Sequence, residues 1–272
     1  MMLCIIGEGF RRIPMNKKKS RIRISGFKLT QILLCLFIAA GFASCKHENA
    51  HWAYGGDSGP EQWGDLSTDF QACKLGKNQS PIDISNAKTT DLTALTLNYQ
   101  DTPYVVENNG HSIQINLENA GNLTIGEDTY KLLQFHFHNP SEEAVDGQRF
   151  PLVAHFVHKS DAGDLAVIAL FFTTGKENAL LKPVFSNLPA EEKESLKGDS
   201  AINPASILGN ELAYYAYNGS LTTPPCSEGV RWIVLKKPTE LSIEQLSAFK
   251  ELYSGNARPL QPLNARQVLQ SR

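Results

Sequence analysis

His136 and His138 stand two residues apart in Gln134-Phe-His-Phe-His138, and a third histidine follows in Leu152-Val-Ala-His155-Phe-Val-His158. Strand side chains alternate faces with period two. Gln134, His136 and His138 therefore project to one side of a strand, and Phe135 and Phe137 to the other. Two imidazoles on one face can share a metal ion, but a third ligand has to come from a neighbouring strand. The 13-residue connection containing Asn139-Pro140 allows an antiparallel return that sets His155 beside the first pair. Val153, His155 and Val157 then share a face, and His158 points the other way. Three neutral nitrogens with an open fourth position are the arrangement of catalytic rather than structural zinc. His47 and His158 are read as bystanders.

One other metal fold competes for the same residues. The run from His136 through His138 to Glu142 resembles the first cupin motif, which would make Glu142 a ligand and iron or manganese suitable ions. That pattern also needs a glycine closely upstream and a second motif with Pro-x-Gly before another histidine, and neither stands in this sequence.

The elements that must position these residues read mainly as β. Short alternating stretches occur at 95–99, 104–107, 112–117, 123–125, 130–138, 152–158, 165–172 and 230–235. Turn signals such as Asn108-Asn109-Gly110, Gly121-Asn122 and Asp161-Ala-Gly163 separate them. Helical pattern is limited to 179–187, part of 190–197, and 242–253, where Thr239 or Ser242 could cap. The fold class expected is α+β, mainly β: a single domain around a large, mostly antiparallel twisted central sheet with short peripheral helices.

Several segments together make the sequence resemble a known family. They are HWAYGG at 51–56, QSPIDI at 79–84, NNGHS at 108–112, QFHFH at 134–138 and SEEAVDG at 141–147, followed by AHFVH at 154–158, GSLTTPPC at 219–226 and NARPLQPLNAR at 256–266. In this order and at these separations they are similar to the α-class carbonic anhydrases of the bacterial, exported type, from His51 to about Arg266. The resemblance implies a zinc lyase that hydrates carbon dioxide reversibly to bicarbonate and a proton, by attack of zinc-bound hydroxide. It implies Zn²⁺ on His136, His138 and His155. Thr222 would accept a hydrogen bond from the hydroxide and pass its own hydroxyl proton to Glu142, with Thr223 bordering the site. Val157, Val167, Leu221, Val230 and Trp232 match the apolar wall that carbon dioxide needs. His111 matches the proton shuttle, a task suited to a near-neutral imidazole. Tyr54, Asn109 and Gln114 match positions that order water along the proton path. Gln134 and the backbone of Asn256 match the partners that orient the first and second ligands, and Cys73 and Cys226 match the family disulfide.

Two positions depart from the family pattern close to the metal. Val153 replaces the glutamate that ordinarily accepts the free ring N–H of the third ligand, and Glu143 replaces a histidine that contacts that glutamate. The two changes have opposite chemical senses, so Glu143 is expected to reach into the vacated space and supply the carboxylate for His155.

Charge and cysteines bound the rest. The formal net charge of −2, with 20% charged residues scattered along the chain, offers no basic field for nucleic acid. Residues 1–44 read as an export signal, with Met15 as a candidate true start. A cationic stretch runs from Met15, the apolar run ILLCLFIAAGF occupies 32–42, and Ala43 and Ser44 precede Cys45. Phe42-Ala-Ser-Cys45 resembles a lipobox, so residues 45–50 are expected to form a tether with Cys45 a candidate for lipidation; plain signal-peptidase cleavage is the alternative. The catalytic domain would span 51–272, periplasmic or lipid-anchored, touching membrane only through that anchor. Once Cys4 and Cys35 leave with the leader, Cys73 and Cys226 remain as a single pair, and an oxidising compartment favours their bridge. A non-catalytic binding module on the same fold is the alternative function, although such proteins usually lose zinc ligands.

Overall fold

The computed structural model describes residues 50–272; the expected export signal and Cys45, the candidate for lipidation, lie outside them. Among the described residues no helix is long and apolar enough to cross a membrane. The described residues build one sheet of thirteen strands and a small three-stranded one. The strands that matter for the site are β1 (Leu95–Tyr99), β2 (Tyr104–Asn108), β3 (Ile113–Leu117), β4 (Gly121–Ile125), β5 (Asp128–His138), β6 (Leu152–Lys159), β7 (Leu165–Thr174), β8 (Ser195–Lys197), β9 (Tyr214–Ser220) and β10 (Glu228–Leu235). Across the sheet they run β8-β2-β3-β5-β6-β7-β10-β9, with β1 and β4 joining along the first half of β5. Most pairs are antiparallel; β7 with β10 is a parallel exception.

Period-two alternation divides the apolar side chains between the two faces. On one face, Phe135, Phe137, Ala154, Phe156, Ile168 and Phe172 join a large core. On the other, Val153, Val167, Ala169, Phe171 and Trp232 form a second cluster. Strand β7 contributes to both, so it reads as one continuous apolar run, as a strand covered on both faces must. His136, His138 and His155 belong to the second face, where the apolar cluster gives way to polar residues.

Several local elements differ from expectation. Residues 190–197 are rich in Glu and Lys and read as helix, but they form a turn with Lys193 at φ 67° followed by edge strand β8, paired antiparallel with β2. The helix expected over 179–187 is confined to Lys182–Phe185. Strand β9 lies outside the stretches expected as strand, and it contains Asn218-Gly219, a dipeptide common in turns. The helix Ile243–Leu252 does begin at Ser242, which forms a complete capping box with Gln245.

Cys73 and Cys226 are joined in a disulfide across a sequence separation of 153. Such a bridge belongs to an oxidising compartment and so to an exported protein.

His158 points away from the histidine cluster and is fully buried. One ring nitrogen, Nδ1, faces the carbonyl of Ala166 at 3.3 Å and the other, Nε2, faces the Tyr99 hydroxyl at 2.5 Å. Burial pushes its pKa down to about 4, against the smaller pull of backbone carbonyls. The ring therefore adds no pH penalty above about pH 6.5. As pH falls from there to about 4, the unfolded chain takes up a proton that the folded one refuses, and stability drops by on the order of 3 kcal/mol. Urea midpoints of the zinc-loaded protein should fall over that window, and His158→Gln should flatten this part of the curve. Parallel curves for the two proteins would refute the assignment.

Candidate metal centre

Register, rather than proximity in sequence, assembles the centre. His155 of β6 lies directly opposite His136 of β5, and Val153 opposite His138. One ring nitrogen from each of His136, His138 and His155 falls within 4.8 Å of the others. The outward nitrogens are each held by an acceptor. His136 Nδ1 donates to Gln134 Oε1 at 2.8 Å, on the same strand face. His138 Nδ1 donates to the carbonyl of Asn256 at 2.7 Å. His155 Nε2 lies 3.2 Å from Glu143 Oε2. Because an acceptor takes the outer N–H of each ring, the inward nitrogens, His136 Nε2, His138 Nε2 and His155 Nδ1, are left as bare lone pairs.

Burial disfavours the cationic form of two of the rings. It pulls His136 down to about 3, helped by His155, and holds His138 well below its ordinary range, helped by His155 and then His136. His155 is the exception. Burial lowers it, but the charge and hydrogen bond of Glu143, with Glu142 behind, outweigh burial and leave it raised.

Glu142 and Glu143 are both fully buried. Glu142 Oε1 accepts from the backbone N–H of Arg258 at 2.8 Å, whereas Oε2 faces His138 Nε2 at 3.5 Å and His155 Nδ1 at 3.8 Å. Burial pushes the Glu142 carboxyl up to about 7; neighbouring His155, the Thr222 hydroxyl and the Arg258 N–H pull it back. His138 Nε2, Glu142 Oε2 and Glu143 Oε1 are buried atoms without a hydrogen-bond partner. Acceptors facing acceptors are costly in a buried site, and a bound cation resolves that conflict. The donor set thus fits a divalent ion: three imidazole lone pairs, with two carboxylates to balance its charge.

The surroundings follow from the same strands. Trp232 stands edge-on to His155 with ring centroids 4.9 Å apart. Val167, Val230 and Trp232 are buried in the second apolar cluster, with Val157 and Leu221 packed against it. A register shift between Gly219 and Ser220 breaks β9 and turns the chain into the Thr222 loop. Gly219 is required there, since a Cβ would stand 2.1 Å from Ser80 Oγ. Thr222 is buried, Thr223 is half-buried, and the Thr223 carbonyl accepts from the Cys226 N–H.

His111 sits apart from the three histidines, beside a cavity of about 260 Å³ that Tyr54 and Asn256 also line. Its ring stacks on Trp52, with centroids 3.6 Å apart and planes 12° from parallel. Burial lowers its pKa, His51 lowers it further, and Glu192 opposes both. Asn109 Oδ1 accepts from the N–H groups of His111 and Ser112, and Asn109 Nδ2 reaches Gln114 Oε1 at 3.4 Å.

Sequence reasoning missed two contributors. Arg258 is buried, holds the Cys73 carbonyl and Gln79, and aims its own N–H at Glu142. Trp52 supplies the surface on which His111 rests. The first gave no period-based signal; the second stands beside Tyr54 in the same motif.

A family model described as eukaryotic-type carbonic anhydrase matches residues 58–272. The chain belongs to the eukaryotic-type, or α, carbonic anhydrase family. The carbonic anhydrase of Neisseria gonorrhoeae is 42% identical over 246 residues, covering 89% of this chain and 96% of that protein. The carbonic anhydrase of Pectobacterium atrosepticum is 41% identical over 237 residues, 87% of this chain and 97% of its relative. The α-carbonic anhydrase of Thermovibrio ammonificans, solved with the inhibitor sulfanilamide, superposes with a TM-score of 0.79 at 46% identity, over 81% of this chain and 99% of that one. The family and the mainly β architecture are those the motifs and strand pattern led us to expect.

Proposed function

We propose that this carbonic anhydrase hydrates carbon dioxide reversibly to bicarbonate and a proton, with Zn²⁺ held by His136 Nε2, His138 Nε2 and His155 Nδ1. The observation that carries the reading is the convergence of three imidazole lone pairs, each ring faced from behind by its own acceptor. The family is itself the reference case for a zinc ion that brings the pKa of water to about 7.

This chain's residues supply the rest. Glu143 holds the His155 ring in the tautomer and orientation that leave Nδ1 free. Thr222 accepts a hydrogen bond from the attacking water and gives its own to Glu142, whose other oxygen is fixed by Arg258. Val157, Val167, Leu221, Val230 and Trp232 receive apolar carbon dioxide beside the histidines, while Thr223 borders the reacting atoms. His111, beside the cavity, passes the released proton to solvent. Tyr54, Asn109 and Gln114 order the water between.

Stripping the metal with a chelator should abolish stopped-flow hydration, and one equivalent of zinc should restore it. Full activity in protein shown to be metal-free would defeat the reading.

A further inference from the structure

Glu107, Gln114 and Asn116 lie on the metal-bearing face of the sheet, yet none bonds to one of the three histidines. They occupy two adjacent cross-strand rows. Glu107 pairs with Gln114, which pairs with His136; Val105 pairs with Asn116, which pairs with Gln134. With strands about 4.8 Å apart, Glu107 stands about 10 Å from His136 across the sheet.

Their hydrogen bonds form a chain with a direction. Asn116 Nδ2 donates to Glu107 Oε2 at 2.7 Å, and Gln114 Nε2 donates to Asn116 Oδ1 at 2.7 Å. Asn109 Nδ2 then donates to Gln114 Oε1 at 3.4 Å, and Asn109 Oδ1 takes the backbone N–H groups of His111 and Ser112 at 2.9 and 2.8 Å. An ionised carboxylate accepts and has no proton to give. Asn116 must therefore turn its NH₂ to Glu107 and its oxygen to Gln114. Gln114 must in turn present its oxygen to Asn109. From the other end, the two backbone N–H groups demand the Asn109 oxygen and leave its NH₂ for Gln114. Both ends impose the same polarity.

We propose that Glu107 is a positioning residue for His111. By fixing the polarity of three amides it holds the loop 109–112, and so keeps the His111 ring stacked on Trp52 at the cavity. Remove the acceptor and the amides are free to invert, which loosens Asn109 and the loop it ties. The inference rests on His111 as the proton carrier.

The test compares Glu107→Leu, Glu107→Gln, Asn116→Leu, His111→Ala and the double variant Glu107→Leu/His111→Ala, all zinc-loaded. Glu107→Leu should lower kcat for carbon dioxide hydration in dilute buffer on the order of 10-fold, leave kcat/KM unchanged, and recover when imidazole is added. Asn116→Leu breaks the chain one link later and should behave alike. Glu107→Gln can turn its amide oxygen to Asn116 and should regain most of the rate. In NMR spectra, the His111 ring protons should move toward unstacked values in both leucine variants. In the His111→Ala background, Glu107→Leu should cost nothing more. An unchanged kcat and His111 resonance in both leucine variants would overturn the role of Glu107 alone, as would an equal loss in the His111→Ala background. A His111→Ala variant with full kcat in dilute buffer would defeat the shuttle reading, and the role of Glu107 with it.

Discussion

Replacing Glu143 with leucine should weaken zinc binding by about 10–100-fold while leaving the fold intact. Glu143 Oε2 is the acceptor 3.2 Å from His155 Nε2. Val153, two residues before His155 on the same strand face, is fully buried in the apolar cluster and offers no substitute. Without Glu143 the His155 ring has no buried acceptor for its outer N–H, so neither tautomer nor orientation is fixed. The loss should fall on the metal rather than on stability. Leucine fills a similar volume, and the change also removes Glu143 Oε1, a buried oxygen without a partner. Glu143→Gln keeps an acceptor but not the charge that helps balance a divalent ion, so it should lie between. Competition against a chelator of known affinity gives the constants, and near-UV circular dichroism reports the fold. Equal zinc affinity in the wild type and Glu143→Leu would show that His155 is oriented by something else.

Loss of the disulfide should lower stability by about 5 kcal/mol in the chain-entropy model, given the 153-residue separation it closes. For a domain of this size that corresponds to a fall in Tm of roughly 10–20 °C. The bridge also has a local task. Cys226 closes the loop that carries Thr222, with φ 56° and its N–H on the Thr223 carbonyl. Gln79 holds the Cys226 carbonyl, and Arg258 ties the Cys73 carbonyl to the segment that supports Glu142. The Cys73→Ser/Cys226→Ser variant should therefore melt early and show reduced hydration below its melting range. A Tm within a few degrees of the wild type would contradict this.

What could be read from the residues alone divides by the range of the interaction. Period-two alternation placed Gln134, His136 and His138 on one face, and the short return placed His155 opposite, because strand geometry is local and regular. The pairing of Val153 with Glu143 could be posed as a question from sequence, since both departures stand within a dozen residues of His155. Other features depended on partners far away in the chain. Strand β8 is helical by composition and becomes an edge strand because β2 offers it a ladder. Arg258 reaches Glu142, 116 residues earlier, through its backbone N–H, which leaves no mark on residue type. The polar alternation of Gln114 and Asn116 was visible, but its meaning depended on Glu107 lying in register on the adjoining strand.

A divalent ion on the three histidines would need its fourth position left open for the proposed chemistry. Glu142 Oε2 is the group that could close it, since it faces both His138 Nε2 and His155 Nδ1. Stopped-flow hydration of carbon dioxide by protein carrying one equivalent of zinc decides the matter most directly. Turnover by the zinc-loaded protein is the expected result; stoichiometric zinc with no turnover, as expected if Glu142 takes the fourth place, would contradict the proposed function.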